Sequence, residues 1–148
     1  MGGIAALRKR LQAARVVQLP TVFVGWPEDG PGGKEVARIA QILMAGSRDG
    51  RIPARPVLDR VALERRGAIQ RASTAAVAAL VRGQPAAARS ILEALASDLE
   101  GWVREALEDG AAPPNAASTI ARKGFDYPLR NPGGEDRLFR YLVSGVRD

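Results

Sequence analysis

Ser90-Ile-Leu-Glu-Ala-Leu-Ala-Ser-Asp-Leu-Glu-Gly-Trp-Val-Arg-Glu-Ala-Leu-Glu108 is the longest uninterrupted amphipathic stretch in the chain. Ile91, Leu92, Leu95, Leu99, Trp102, Val103 and Leu107 fall on one stripe at helical spacing, and that period predicts an α-helix with one face turned to a core. Gly83-Gln84-Pro85 breaks the preceding pattern and restarts it, and Gly110 follows the last periodic residue, so the helix is placed at about 85–109. At 1.5 Å per residue it is roughly 37 Å long, enough to back a small sheet. Glu93, Asp98, Glu100, Glu105 and Glu108 occupy the other face. Carboxylates at helical spacing can ligate metal, but nothing in the pattern brings a further ligand to them, so they read as a solvated face.

Upstream, Thr21–Trp26 is the clearest strand. Val22, Val24 and Trp26 alternate with Thr21, Phe23 and Gly25, and β-branched and aromatic types dominate. Val16–Leu19 either extends this strand or turns into it. Residues 3–15 carry Ile4, Leu7, Leu11 and Ala14 at helical spacing with Arg8, Lys9, Arg10 and Arg15 around them. The narrow apolar face without an aromatic favours packing on the protein's own sheet over a membrane surface. Pro27–Gly33 is a loop, and residues 34–45 form a helix with Val36, Ile39, Ala40 and Leu43 on one face and Gly46 at its end. A strand, Gly-rich loop and helix in this order imitate a phosphate-binding loop. Glu28 stands where its first glycine belongs and Glu35 where its hydroxyl belongs, so nucleotide binding is rejected.

Ser47–Ile52 is a polar loop leading to Pro53-Ala-Arg-Pro56, an extended piece whose last proline can open a helix. That helix is expected to run to about Arg82, with Leu58, Val61, Ile69, Ala76 and Leu80 toward the core and a bend at Gly67. After the long helix, Pro113-Pro114 keeps the chain extended into Asn115-Ala-Ala-Ser-Thr-Ile-Ala-Arg-Lys-Gly124. This reads as a short helical turn with Asn115 as N-cap, Ser118 and Thr119 near its amides, Ile120 as an anchor, Arg122 and Lys123 at its end and Gly124 as the exit. Tyr127-Pro128-Leu129 and a turn at Arg130–Gly134 follow, and Arg137–Val146 reads as a short helix and then a strand.

At 148 residues the chain has the size of one domain, and 46% hydrophobic with 26% charged residues argues against wholesale disorder. No apolar run is long enough to cross a bilayer and no signal-peptide core opens the chain, which points to a soluble product of the cytoplasm. Cysteine and histidine are both absent. That removes disulfides, thiolate chemistry, Cys/His metal sites and any histidine base, so no catalytic, metal or cofactor-binding residue is assigned and the protein reads as a non-enzyme. Nor does any G-x-S-x-G occur. The net charge of +6 is uneven: residues 1–82 carry 14 Lys/Arg against 6 Asp/Glu, a balance of +8, and residues 83–148 carry 8 against 10, a balance of −2. Such a division suits contact with further copies of the chain or with nucleic acid. Three of the 22 basic residues are Lys, and in an alanine-rich chain this fits a GC-rich coding sequence as well as any arginine-specific recognition.

Asn115–Gly124 followed by Pro128-Leu129 resembles the "N-x-x-S-T-I-x-x-K-G…P-L" signature of phage neck and tail-completion proteins. Ile52-Pro-Ala-Arg-Pro56 is similar to that family's I-P-x-R-P segment, and Val36–Gly46 to its preceding helix, with Leu43-Met44-Ala45 where the family has Asn-Glu-Phe. The order and rough spacing also agree from about residue 20 to 130. At the end Asn131-Pro132 stand where the family has Asp-Thr, and Gly134–Arg137 look like added residues. The resemblance implies an antiparallel sheet packed by helices. With the helices read above, the expectation is a single α+β domain over 1–148, a small antiparallel β-sheet against one long and several shorter α-helices. It also implies a virion structural role without catalytic residues. The subunit would form a homo-oligomeric ring, hexameric or dodecameric, in the neck, between the portal, adaptor or head-closure protein and the tail tube or tail terminator. Assembly would take place in the host cytoplasm, with contact to packaged DNA in the channel as one use of the cations. In the segments 51–56 and 115–124 that carry the resemblance, Arg51, Pro53, Arg55, Pro56, Asn115, Ser118, Thr119, Arg122, Lys123 and Gly124 are then interface candidates on surface connections. The alternative is a sequence-nonspecific nucleic-acid-binding protein using the basic N-terminal half. Against it stand the lack of a helix-turn-helix or zinc module and the small number of aromatics for stacking.

Overall fold

The chain is described by a computed structural model over residues 4–6, 9, 20–109, 113–124 and 137–147. Its elements are β1 (Thr21–Gly25), α1 (Gly33–Ala45), α2 (Val57–Glu64), α3 (Arg66–Val81), α4 (Pro85–Glu108), α5 (Ala117–Lys123), α6 (Arg137–Arg140) and β2 (Val143–Arg147). They form a small α+β fold, with a two-stranded antiparallel sheet and one long helix among the described residues. Ile4–Ala6 and Lys9 are helical. The rest of the helix expected at 3–15, the strand extension at 16–19, the closure at Gly110 and the turn at 130–134 lie outside the described residues.

α4 organises the packing because its apolar stripe is long enough to serve two clusters. Its C-terminal half, through Val103, Ala106 and Leu107, joins Val36 and Ala40 of α1, Val57 and Val61 of α2, and Leu138 and Leu142. Its N-terminal half, through Ala88 and Leu92, joins Ala76 and Ala79 of α3, with Val22 and Val146 of the sheet at the margin. Small residues let α3 and α4 approach closely here; of them the sequence reading named Ala76 but not Ala79 or Ala88. Pro85 starts α4 at a position where its missing N–H costs nothing.

The sheet pairs Val22 with Val146, Phe23 with Gly145 and Val24 with Ser144. Val22 and Val24 share the face toward the clusters. On the other face the ring of Phe23 lies across Gly145, where a Cβ would come within 3.1 Å of it, and the Arg147 guanidinium sits 4.4 Å over that ring. The strand stops at Gly25 rather than Trp26. Trp26 is held instead by its Nε1–H donating to the Leu138 carbonyl at 2.7 Å.

Two boundaries differ from the sequence reading. The single helix expected from Pro56 to about Arg82, with a bend at Gly67, is interrupted two residues earlier, at Arg65. Arg65 is tied to α4: its guanidinium lies 5.3 Å from the Trp102 ring centroid and 3.4 Å from Glu105. The break lets α2 pack on one cluster and α3 on the other. The second difference concerns α4's acidic face, expected to be solvated throughout. Glu100 is half-buried, accepting from Arg104 at 2.9 Å and from the Ser144 hydroxyl at 2.8 Å. Arg104 also donates to the carbonyls of Phe139 at 2.6 Å and Leu142 at 3.4 Å. This network fixes the C-terminal helix and strand to α4. The helix-then-strand reading of the tail agrees with α6 and β2.

Candidate interaction groove

The segment after α1 is shaped by one loop. The Ser47 hydroxyl donates to Asp49 Oδ1 at 2.6 Å and accepts the Ile52 amide at 2.8 Å, while the Ser47 amide donates to the Ile52 carbonyl at 2.8 Å. The Ser47 hydroxyl, and after it the Arg51 amide, hold the Asp49 carboxyl below its ordinary value of 3.8. Gly46 lets this loop fold back. Its φ is +82°, and a Cβ there would lie 2.9 Å from both the Ala54 nitrogen and the Ile52 carbonyl oxygen. The chain then runs extended through Pro53 to Pro56 beside α1, with the Arg55 amide donating to the Leu43 carbonyl at 2.9 Å.

Arg55 corrects the sequence reading. Expected as a surface cation, it is buried, with 4% of its surface exposed. Its Nε donates to the Pro113 carbonyl at 3.1 Å and its Nη2 to the Pro114 carbonyl at 3.4 Å. The fork of one guanidinium thus clamps the 51–56 segment to the chain entering α5. Pro56 is the N-cap of α2 rather than its first helical residue.

A second correction falls on α5. The N-cap position is Ala116, with extended φ and ψ, and no side chain caps the helix. Asn115, expected to be that cap, sits one residue too early and lines the adjoining groove. The Thr119 and Ile120 amides bond to the Ala116 carbonyl, at 2.8 and 3.0 Å. At the other end Lys123 closes the helical backbone and Gly124 adopts φ +81°, its amide donating to the Ile120 carbonyl at 2.7 Å. The glycine exit read from the sequence is present as expected.

Two segments about sixty positions apart thereby line one groove of about 360 Å³. Arg51, Pro53, Arg55, Asn115, Thr119 and Arg122 are among its lining, but Pro56, Ser118 and Gly124 are not, and the side chain of Lys123 lies outside what the structure describes. Ser118 is exposed, away from it. The sequence reading missed the rest of the wall, Ile39 and Leu43 of α1, Ile52, and Arg137 and Leu138 of α6. Ile39 and Leu43 belong to the face of α1 that the sequence reads as core-facing, and they are half-buried because that face reaches past the core into the groove, which the apolar period alone does not reveal.

The rim is cationic. Arg51 has 87% of its side chain exposed and its Nε lies 3.3 Å from Asp49, and Arg137 pairs with Glu35 at 2.6 Å. Arg122 is exposed and makes no ion pair among the described residues. An apolar floor under guanidinium groups can bind an acidic, partly apolar surface, and among the described lining residues there is no nucleophile paired with a base. Among the described residues no three acidic side chains come together to hold a metal ion. No protein family, curated protein or solved structure matches this chain.

Proposed function

We propose that this protein is a structural subunit of a tailed-phage neck, forming a ring that joins the head and its portal or adaptor complex to the tail tube. The observation that supports this most is the convergence of 51–56 and 115–124 on one groove. These are two of the three segments that carry the resemblance to neck and tail-completion proteins, and a shared docking surface gives them a common reason to occur together. The groove's chemistry suits an assembly surface, with an exposed Arg51 just ahead of the rigid Pro53–Pro56 segment and an exposed Arg122 on a short helix, both on backbone that loses little freedom on docking. No helix among the described residues is long and apolar enough to cross a membrane.

Arg51→Glu combined with Arg122→Glu is the informative variant, because both side chains are exposed and neither supports the core. The expected result is near-normal melting with failed joining of heads to tails in a complementation assay. A folded variant that still gives full infectivity overturns this role. DNA retention lost by the variant while joining survives would favour nonspecific binding of phosphates by the same cations.

A further inference from the structure

The outer face of α2 carries a feature that the fold does not use. Leu63 is 73% exposed, and Asp59 lies one helical turn before it on the same face. Val57 and Val61 point into the core, so Asp59 and Leu63 face outward as a knob with an acid beside it. Asp59 is exposed and makes no ion pair among the described residues. Of the neighbouring cations, Arg60 pairs with Glu64 at 3.9 Å and Arg65 with Glu105 at 3.4 Å, and Arg66 is exposed with no ion pair among the described residues. The groove offers the complement: apolar walls from Ile39, Leu43, Ile52 and Leu138, and the exposed Arg122 at its margin.

No α2 residue lines the groove, so knob and groove are separate patches. A contact between them across two copies is heterologous, running head to tail, and it closes into a ring when the rotation per subunit allows. We propose that Leu63 of one copy seats in the groove of the next, with Asp59 reaching Arg122. This deepens the ring reading above and rests on it for its biological setting. Charge complementarity and the uncovered leucine argue for a second copy as the occupant. A short apolar anchor with one ion pair makes a small contact, which fits weak association in solution.

The chain has no cysteine, so single cysteines report proximity without background. Ala62→Cys, beside the knob, and Ala116→Cys, in the groove lining, leave Leu63, Asp59, Ile52 and Arg122 in place; the two proteins, mixed under mild oxidation, are expected to form a mixed disulfide dimer, and the double variant a ladder. Ala62→Cys alone giving a homodimer in preference to the mixed dimer would show a two-fold contact and overturn the proposal, as would the lack of any mixed dimer at high concentration. By sedimentation velocity at low salt, Arg122→Glu or Asp59→Arg should weaken self-association roughly tenfold, and the pair together should restore it. Absence of that rescue also overturns the contact. The neck role is tested separately: if Arg122→Glu blocks head–tail joining but no mixed dimer forms, the self-contact fails and the neck role stands. If the dimer and the rescue appear but joining is untouched by Arg122→Glu, the contact stands and the neck role fails.

Discussion

Arg55→Ala would leave the Pro113 and Pro114 carbonyls without the donors that now reach them and would open a void where a guanidinium is packed. Losing charged hydrogen bonds at a buried site costs about 2–4 kcal/mol, read as a shift in the urea midpoint. Arg55→Lys should recover little of this, because a single ammonium cannot span two carbonyls in a fork. Reversing Arg55 is therefore a test of folding, and the exposed Arg51 and Arg122 are the positions that test assembly. Gly46→Ala is expected to cost about 2 kcal/mol or more, since it combines a left-handed φ with a 2.9 Å approach to backbone on two sides. Thermal melting checks it, and a neutral result would mean that the 47–52 loop does not fold back as described.

Within α4, large side chains on the stripe are unequally buried, and their truncations should rank accordingly. Leu107 is 3% exposed, so Leu107→Ala should cost about 2–5 kcal/mol. Trp102 is half-buried under the Arg65 guanidinium, and its loss should cost less than the 3–5 kcal/mol of a fully buried ring, about 2 kcal/mol. The same helix carries a pH-dependent contact. Burial of Glu100 would raise its pKa, but hydrogen bonds from Ser144 and Arg104 and the Arg104 charge outweigh it, leaving the group below its ordinary 4.5. A depressed carboxyl stabilises the fold above its unfolded value, and that contribution disappears as pH falls from about 4.5 through the lower folded value. Glu100→Gln should therefore flatten this acid limb of the stability profile, measured by denaturation at a series of pH values. An unchanged slope would mean the Ser144 contact is not maintained in solution.

For the molecule as a whole, a sheet of two five-residue strands is too small to stand alone. Its stability comes from α4 beneath it and from the Arg104 network at its edge. Cooperative loss of sheet and helix signals in one denaturation transition is expected. In solution the protein should run as a monomer or weak oligomer by size exclusion with light scattering. Added salt should dissociate it further, because the proposed contact includes exposed charges. Irreversible aggregation of the pure chain would count against this.

Local physics made much of the fold legible. The apolar period placed α4 to within a residue at its C-terminus, alternation placed β1, and the glycines at 46 and 124 marked the ends of α1 and α5. These signals depend on neighbours along the chain, so sequence spacing carries them. Tertiary contact decided the rest. At the break Arg65 meets Trp102 and Glu105, nearly forty residues away, and the burial of Arg55 follows from carbonyls at 113 and 114. Whether a cation faces water or a backbone carbonyl depends on what the fold brings alongside it, and no local pattern records that. The groove is of the same kind: its segments were readable one by one, but that they share a wall was settled only when α1, α5 and α6 came together around the extended segment.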